Sequence, residues 1–304
     1  MLTVTKTPIS KFDESAVYGH VVKVGRDEKR KAENVITVFD GREYIHYMMF
    51  HKGLENLLYN VCMMIAKLVN SPMLEPGEYK ALMIALVNAL WIVDHKSTAA
   101  RHSKLDGIKS LSTCCMNNRF CLARMKDKDS ICSHCYAATQ QSIQFGLTEH
   151  NIINGVILQN VGIPVWAWQS AWAGKLYGEK VFRIESFGDI ANMIQACNYI
   201  TLTKAFPEIN FAAWSKNVAM WLAAFDTIGK PGNLSFVSSS YRVNEKDKYS
   251  DNRINHSFTV YDKETIAEKR IAINCGGRRC MDCIINHVGC YFTDTAAEIR
   301  EELK

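Results

Sequence analysis

Two groups of cysteines carry the chemistry legible in this sequence. Cys132-Ser-His-Cys135 is a pair separated by two residues, a spacing at which one short turn can point both sulfurs at a single metal. Cys121 stands eleven positions before Cys132, and the adjacent Cys114 and Cys115 lie further back, their membership of the group left open by spacing alone. The second group, Cys275-x4-Cys280-x2-Cys283-x6-Cys290, places four thiols within sixteen residues. Seven of the eleven cysteines thus fall into two compact groups, which argues for a shared ligand over incidental burial. Thiolates hold zinc and iron-sulfur clusters alike, so ligand type does not choose between them. An incomplete set of three at Cys121, Cys132 and Cys135 favours iron-sulfur, because it leaves one metal position open to a small molecule. His134 and His287 sit inside the groups but are superfluous beside so many thiols. Cys62 and Cys197, among apolar neighbours, read as core.

The rest of the composition is ordinary. Hydrophobic residues make up 48% and charged residues 22% of 304, enough to build a large core and too apolar for a disordered chain. A net charge of +5 without a long basic tract does not itself predict nucleic-acid binding. The first thirty residues lack the apolar stretch of a secretion signal, and the longest charge-free run, between Lys80 and Asp94, is too short to span a bilayer. The expectation is a protein of reducing cytoplasm, with no membrane span and no disulfide framework.

The elements that position the cysteines come next. Residues 1–106 read as an N-terminal α+β extension: a strand Tyr18–Val24, a charged loop 26–31, a hairpin of Val35–Phe39 and Tyr44–Met48 about Asp40-Gly41, then helices Leu54–Asn70 and Gly77–Lys96, the second opened by Pro76. Residues 107–304 alternate short β-rich runs with helical stretches, the pattern of a parallel sheet with crossover helices. Six strands are expected, Ile108–Thr113, Val181–Ser186, Asn210–Trp214, Leu234–Ser238, Ser257–Tyr261 and Ile271–Asn274. The fold class predicted is α/β, a partial (β/α)6 TIM-like barrel. No P-loop or dinucleotide fingerprint is present.

In such folds the residues just past the C-terminal ends of the strands build the site. That rule gathers the Cys121–Cys135 loop, Gly188-Asp189, Ser215-Lys216, Ser238–Ser240 and Cys275 on one rim. Asp189 reads equally as the cap of a following helix, and Gly188 as a position that lets a ligand approach the backbone. Trp166, Trp168 and Trp172 read as core.

Ile131-Cys-Ser-His-Cys-Tyr-Ala137, Phe182-Arg-Ile-Glu-Ser-Phe-Gly-Asp189, Phe211-Ala-Ala-Trp-Ser-Lys216 and the closing cysteines together resemble the phage gene product 88 family, and are similar at a distance to radical S-adenosylmethionine (SAM) enzymes. The resemblance covers about residues 107–291. It implies a partial barrel with a [4Fe-4S] cluster on Cys121, Cys132 and Cys135, Tyr136 beside the last of them, and Gly188 and Asp189 at the amino group of SAM. It also implies an auxiliary cluster on Cys275, Cys280, Cys283 and Cys290. The chain departs from the superfamily's C-x3-C-x2-C by ten residues between its first two candidate ligands, and from its glycine-glycine-glutamate segment by a single Gly-Asp pair.

Two functions follow as expectations. One is a phage-encoded iron-sulfur protein of radical-SAM-like architecture, an enzyme on a small-molecule or macromolecular substrate, in which Asp189 binds a cationic group and Lys216 orients an anionic one. The other is a non-catalytic protein with structural zinc or iron-sulfur and a basic face, Asn244–Arg253 with Arg278 and Arg279, for host protein or nucleic acid.

Overall fold

A computed structural model describes residues 3–8, 34–39, 44–71, 73–97, 103–276, 278–294 and 298–303. Strands β1 (Thr3–Pro8), β2 (Asn34–Phe39) and β3 (Tyr44–Met49) form a small antiparallel sheet in that order. The hairpin is present, with Phe39 opposite Tyr44. Its Asp40-Gly41 turn, the expected strand Tyr18–Val24 and the loop 26–31 lie outside the described residues.

Helix α1 (Lys52–Asn70) buries Leu58, Val61, Cys62 and Ile65, one stripe at helical spacing. Its first N–H groups are met from a distance: Glu149 accepts from the backbone of Phe50 and His51, placing a carboxylate where the helix dipole favours one. Helix α2 (Pro76–Ala89) stops seven residues short of the expected Lys96. The cause is Asn154, whose side chain takes both the N–H and the carbonyl of Trp91, at 2.8 and 2.9 Å, and draws the chain out of the helix. Both helices pack in the same core as the main sheet, Met83, Leu86 and Val87 sharing it with Leu111 and Phe182. The chain therefore has no separation of cores at residue 106.

The main sheet has seven strands in sequential order, β4 (Val93–Asp94), β5 (Lys109–Leu111), β6 (Val181–Ile184), β7 (Asn210–Ser215), β8 (Leu234–Ser239), β9 (His256–Tyr261) and β10 (Glu298–Glu302). Neighbours from β5 to β10 are parallel, and only β4 runs against its partner. Helices α3 (Arg119–Lys126), α4 (Tyr136–Ile143), α5 (Phe145–Asn160) and α6 (Val165–Trp172) connect β5 to β6; α7 (Met193–Ala205) and α8 (Val218–Ile228) form the next crossovers, and α9 (Lys263–Lys269) and α10 (Cys280–Ile285) precede β10. The mixed α/β class is as expected.

Period-two alternation sorts the sheet into two faces. Phe182, Ile184, Phe211, Ala213, Leu234 and Phe236 meet the helices, where Trp168 and Trp172 pack edge to face at 4.9 Å, fully buried as expected of core tryptophans. Val181, Ala212, Val237 and Phe258 form the other face, covered by Cys290, Tyr291 and Phe292 and by side chains around α10. Among the described residues no helix is long and apolar enough to cross a membrane.

Strands β5 to β9 coincide with the expected ones to within a few residues, but the sixth does not. Residues 271–274 are not a strand; β10 is Glu298–Glu302, paired in parallel with β9. The misplaced segment lies alongside it, since Arg300 accepts from the N–H groups of Asn274 and Cys275. The second cysteine group thus belongs to the crossover before the last strand.

Candidate metal centre

The first cysteine loop is built across the C-terminal ends of the strands. From β5 the chain passes Thr113 and Cys114 into a 3-10 turn at Cys115–Asn117, and Asn118 then caps α3 through bonds to Phe120 and Cys121. A second 3-10 turn, Ile131–His134, is capped by Ser130, and Cys135 leads into α4. The loop is fastened to the far side of the rim: Ile131 donates to the Tyr241 carbonyl at 2.9 Å, Arg124 lies 4.0 Å over the Tyr241 ring, and Arg242 pairs with Asp127 and Asp129.

This brings Cys121, Cys132 and Cys135 into one neighbourhood and adds Cys115. Cys135 is held down to about 6 by the hydrogen bond from the Cys115 thiol, against burial, helped by the Ala138 and Ala137 amides at the start of α4 and by the charge of Lys216. Cys115 moves the opposite way, raised by that bond and by burial. Its N–H donates to Gln141 Oε1 at 3.0 Å, and the same oxygen lies 2.9 Å from its sulfur, a second acceptor competing with Cys135 for the one thiol proton. Burial raises Cys121, and the charges of Asp189, Cys135, Cys132 and Glu185 add to it. Cys135 is therefore favoured as thiolate, beside Cys115 and Cys121 held as neutral thiols. Among the described residues no three His, Cys, Asp or Glu side chains stand together as a metal-holding group.

Lys216, just past β7, faces this set. Burial works to lower its pKa, but Cys132, Asp189, Cys135 and Tyr136 outweigh it and the ammonium is favoured. Asp189 accepts from Ser215 Oγ at 2.5 Å, from its neighbour Ile190 and from the backbone N–H of Lys216 at 2.8 Å. It ties the β6 loop to the end of β7. It does not cap α7; Asn192 does. Tyr136 is 65% exposed, and its hydroxyl donates to the Ser186 carbonyl at 2.5 Å.

Gly188 has a different reason from the one the sequence suggested. A Cβ there would lie 2.6 Å from Glu185 Oε2 and 2.8 Å from the Thr113 carbonyl, so the room is already taken by protein. Glu185 is the buried anchor of the site and escaped the sequence reading as a functional residue. Its backbone is left-handed, φ 53°, a conformation that costs a non-glycine residue about 1–2 kcal/mol. Its carboxylate receives Thr113 N–H at 3.0 Å, Thr113 Oγ1 at 2.8 Å, Gln195 Nε2 at 2.7 Å and Tyr199 OH at 2.5 Å. Burial still prevails over these donors and lifts the carboxyl to about 7.

The second group is elsewhere. Cys275, Cys280 and Cys290 pack on the sheet face covered by α10, with Ile108 and Val181, which precede or begin β5 and β6. The expectation of a single rim carrying both groups is thus corrected: the crossover to β10 carries the second group along the sheet face. Lys104 holds Cys275 Sγ at 3.3 Å and Glu301 at 2.9 Å, and the Cys280 N–H donates to the Lys104 carbonyl. Gly289, at φ 85°, lies against Cys283. Burial pushes Cys280 up to about 11 and Cys290 to about 12. His134 and His287 are exposed, His287 beside Asp294. In the basic loop, Arg253 is engaged by Asp251 and Asp226 and Lys246 by Glu298, which spends much of its charge internally.

The family model of gene product 88 matches residues 76–301, from the first residue of α2 into β10. The chain belongs to the gene product 88 family. Both cysteine groups, Glu185, Asp189 and Lys216 lie inside the match, and the three-stranded N-terminal sheet lies outside it. No curated protein and no solved structure matches the chain.

Proposed function

We propose that this gene product 88 chain is a phage iron-sulfur protein of radical-SAM-like architecture. In this reading the sequential parallel sheet is a partial (β/α)6 barrel, and a [4Fe-4S] cluster on Cys121, Cys132 and Cys135 leaves one iron for SAM or another small ligand. The observation that carries the reading is the coupled set of thiols on the loop after β5, facing Lys216 at the end of β7.

The donor set suits the group. Three soft sulfurs come from a single loop, one of them already favoured as thiolate near neutral pH. Holding a cluster requires the thiols to close in from the positions described above. When bound, such a cluster supplies one-electron chemistry. The chain's own residues do the rest. Lys216 balances the charge of the thiolates and orients an anionic group of the ligand. Asp189 fixes Lys216 through its backbone, and its remaining lone pair is available to a cationic group. Glu185 and Gly188 hold the β6 loop against Thr113, and Tyr136 closes the entry to α4 through Ser186. The second cysteine group is a candidate for a further cluster or a zinc ion.

Protein purified without oxygen, reduced and examined by electron paramagnetic resonance tests the open iron. A cluster signal that changes on adding SAM supports it. An unchanged signal together with no SAM cleavage removes the SAM part of the reading and leaves the cluster.

A further inference from the structure

The sheet face covered by the crossover to β10 carries a cation with no ion-pair partner among the described residues. Arg183, in the middle of β6, is 9% exposed, and among the described residues it forms no ion pair and its Nε has no hydrogen-bond partner. Its guanidinium lies 4.4 Å over the Trp214 ring. Stacking does not replace lost hydration, and a guanidinium keeps its charge at any working pH. Around it the indole Nε1 of Trp214, beside the Cys290 sulfur, and the hydroxyl of Tyr291, beside the Arg183 fork, are buried without a well-formed hydrogen bond. Three donors on one patch therefore lack an oxygen acceptor of good geometry, where native interiors leave few such groups unsatisfied.

The patch is within electrostatic reach of both cysteine groups. Arg183 acts electrostatically on Tyr136 and on His95, both at least partly exposed, as well as on Cys280 and Cys290 on its other side. His95, bound to Ser110 at 2.8 Å, is held down to about 4 by burial and then by this positive charge.

We propose that Arg183 is the receptor for an oxyanion, a carboxylate or phosphate group of a small ligand, with Trp214 N–H and Tyr291 OH as accompanying donors. A planar fork of N–H groups fits either oxyanion in bidentate fashion, and an indole N–H and a phenol complete its shell. The site lies on the sheet between the two cysteine groups. It requires no metal at either of them.

The test uses the full chain, with inorganic phosphate and acetate as probes, read by thermal unfolding and tryptophan fluorescence. Saturating phosphate or acetate should raise the wild-type Tm by about 5 °C more than that of Arg183→Met. The affinity of Arg183→Met should fall about thirtyfold or more. Without anion, Arg183→Met should melt at or above the wild type, because an uncompensated buried charge has been removed; a purely structural arginine gives the reverse. Arg183→Lys keeps the charge without the fork and should give an intermediate anion shift; it carries the comparison if Arg183→Met does not fold. Equal shifts in wild type and variants would mean a bulk salt effect and overturn the proposal. So would finding stoichiometric metal on Cys280 and Cys290 in protein that binds neither probe, which would assign the counter-charge to a metal thiolate.

Discussion

Replacing Gly188 by alanine puts a methyl group where the fold has no room for one. Its Cβ would stand 2.6 Å from Glu185 Oε2, 2.8 Å from the Thr113 carbonyl and 3.0 Å from Thr113 Oγ1. Thr113 lies two residues past β5 and its carbonyl is held by Gln141 Nε2 at 3.2 Å, so the carboxylate is the group that gives way. Withdrawal breaks its bonds to Thr113 N–H and Oγ1, each worth about 1.5 kcal/mol to a charged acceptor. Residual crowding against the Thr113 carbonyl adds about 1–3 kcal/mol. The expected loss is therefore about 5 kcal/mol, or a Tm lower by about 10 °C. Urea unfolding followed by tryptophan fluorescence measures it. In a Glu185→Ala background the oxygen that clashes is gone, so Gly188→Ala should cost about half as much there. A variant within about 0.5 kcal/mol of the parent, or an equal cost in both backgrounds, would refute the packing argument.

Other expectations follow from the same geometry. In protein stripped of metal, alkylation of Cys135 should reach half its maximal rate near pH 6, and Cys115→Ala or Lys216→Met should move that midpoint upward; iodoacetamide labelling with peptide mapping reads it. Glu185 has a carboxyl raised from 4.5 to about 7, so its contribution to stability is full below the unfolded value and is lost as pH rises through about 7, by about 3 kcal/mol. Glu185→Gln should flatten stability against pH in that window while lowering it overall, which denaturant titrations between pH 4 and 8 will show. His95 should stay neutral down to about pH 4, and Arg183→Met should raise its midpoint in an imidazole NMR titration.

What was legible in the sequence was what local pattern controls. Phe211-Ala-Ala-Trp-Ser215 and Leu234–Ser239 are short apolar runs bounded by turns, and they are strands. The cysteine loop was visible from spacing, because its caps and turns are local. The last strand was not. Glu298-Ile-Arg-Glu-Glu302 is an edge strand with one inward apolar residue, Ile299, and its charges pair with Lys104 and Lys246, both distant in sequence. Ile271-Ala-Ile-Asn274 looked more strand-like than the segment that supplies β10.

Glu185 was hidden for a similar reason. Its partners Thr113, Gln195 and Tyr199 come from the end of β5 and from α7, and no periodicity links them. Arg183 left a signal that could have been read: a charged residue inside Val181-Phe-Arg-Ile184, a strand otherwise apolar on both faces. Cys115 was an open question in the sequence, and its bond to Cys135 answers where it sits.

The central claim concerns the metal. Iron, acid-labile sulfide and zinc should be measured on protein purified without oxygen, beside a variant in which Cys121, Cys132 and Cys135 are all alanine. The wild type should hold iron and sulfide in equal amounts, and the variant about four fewer of each. Colourless wild-type protein holding stoichiometric zinc and no sulfide, or iron and sulfide unchanged by the triple substitution, would contradict it.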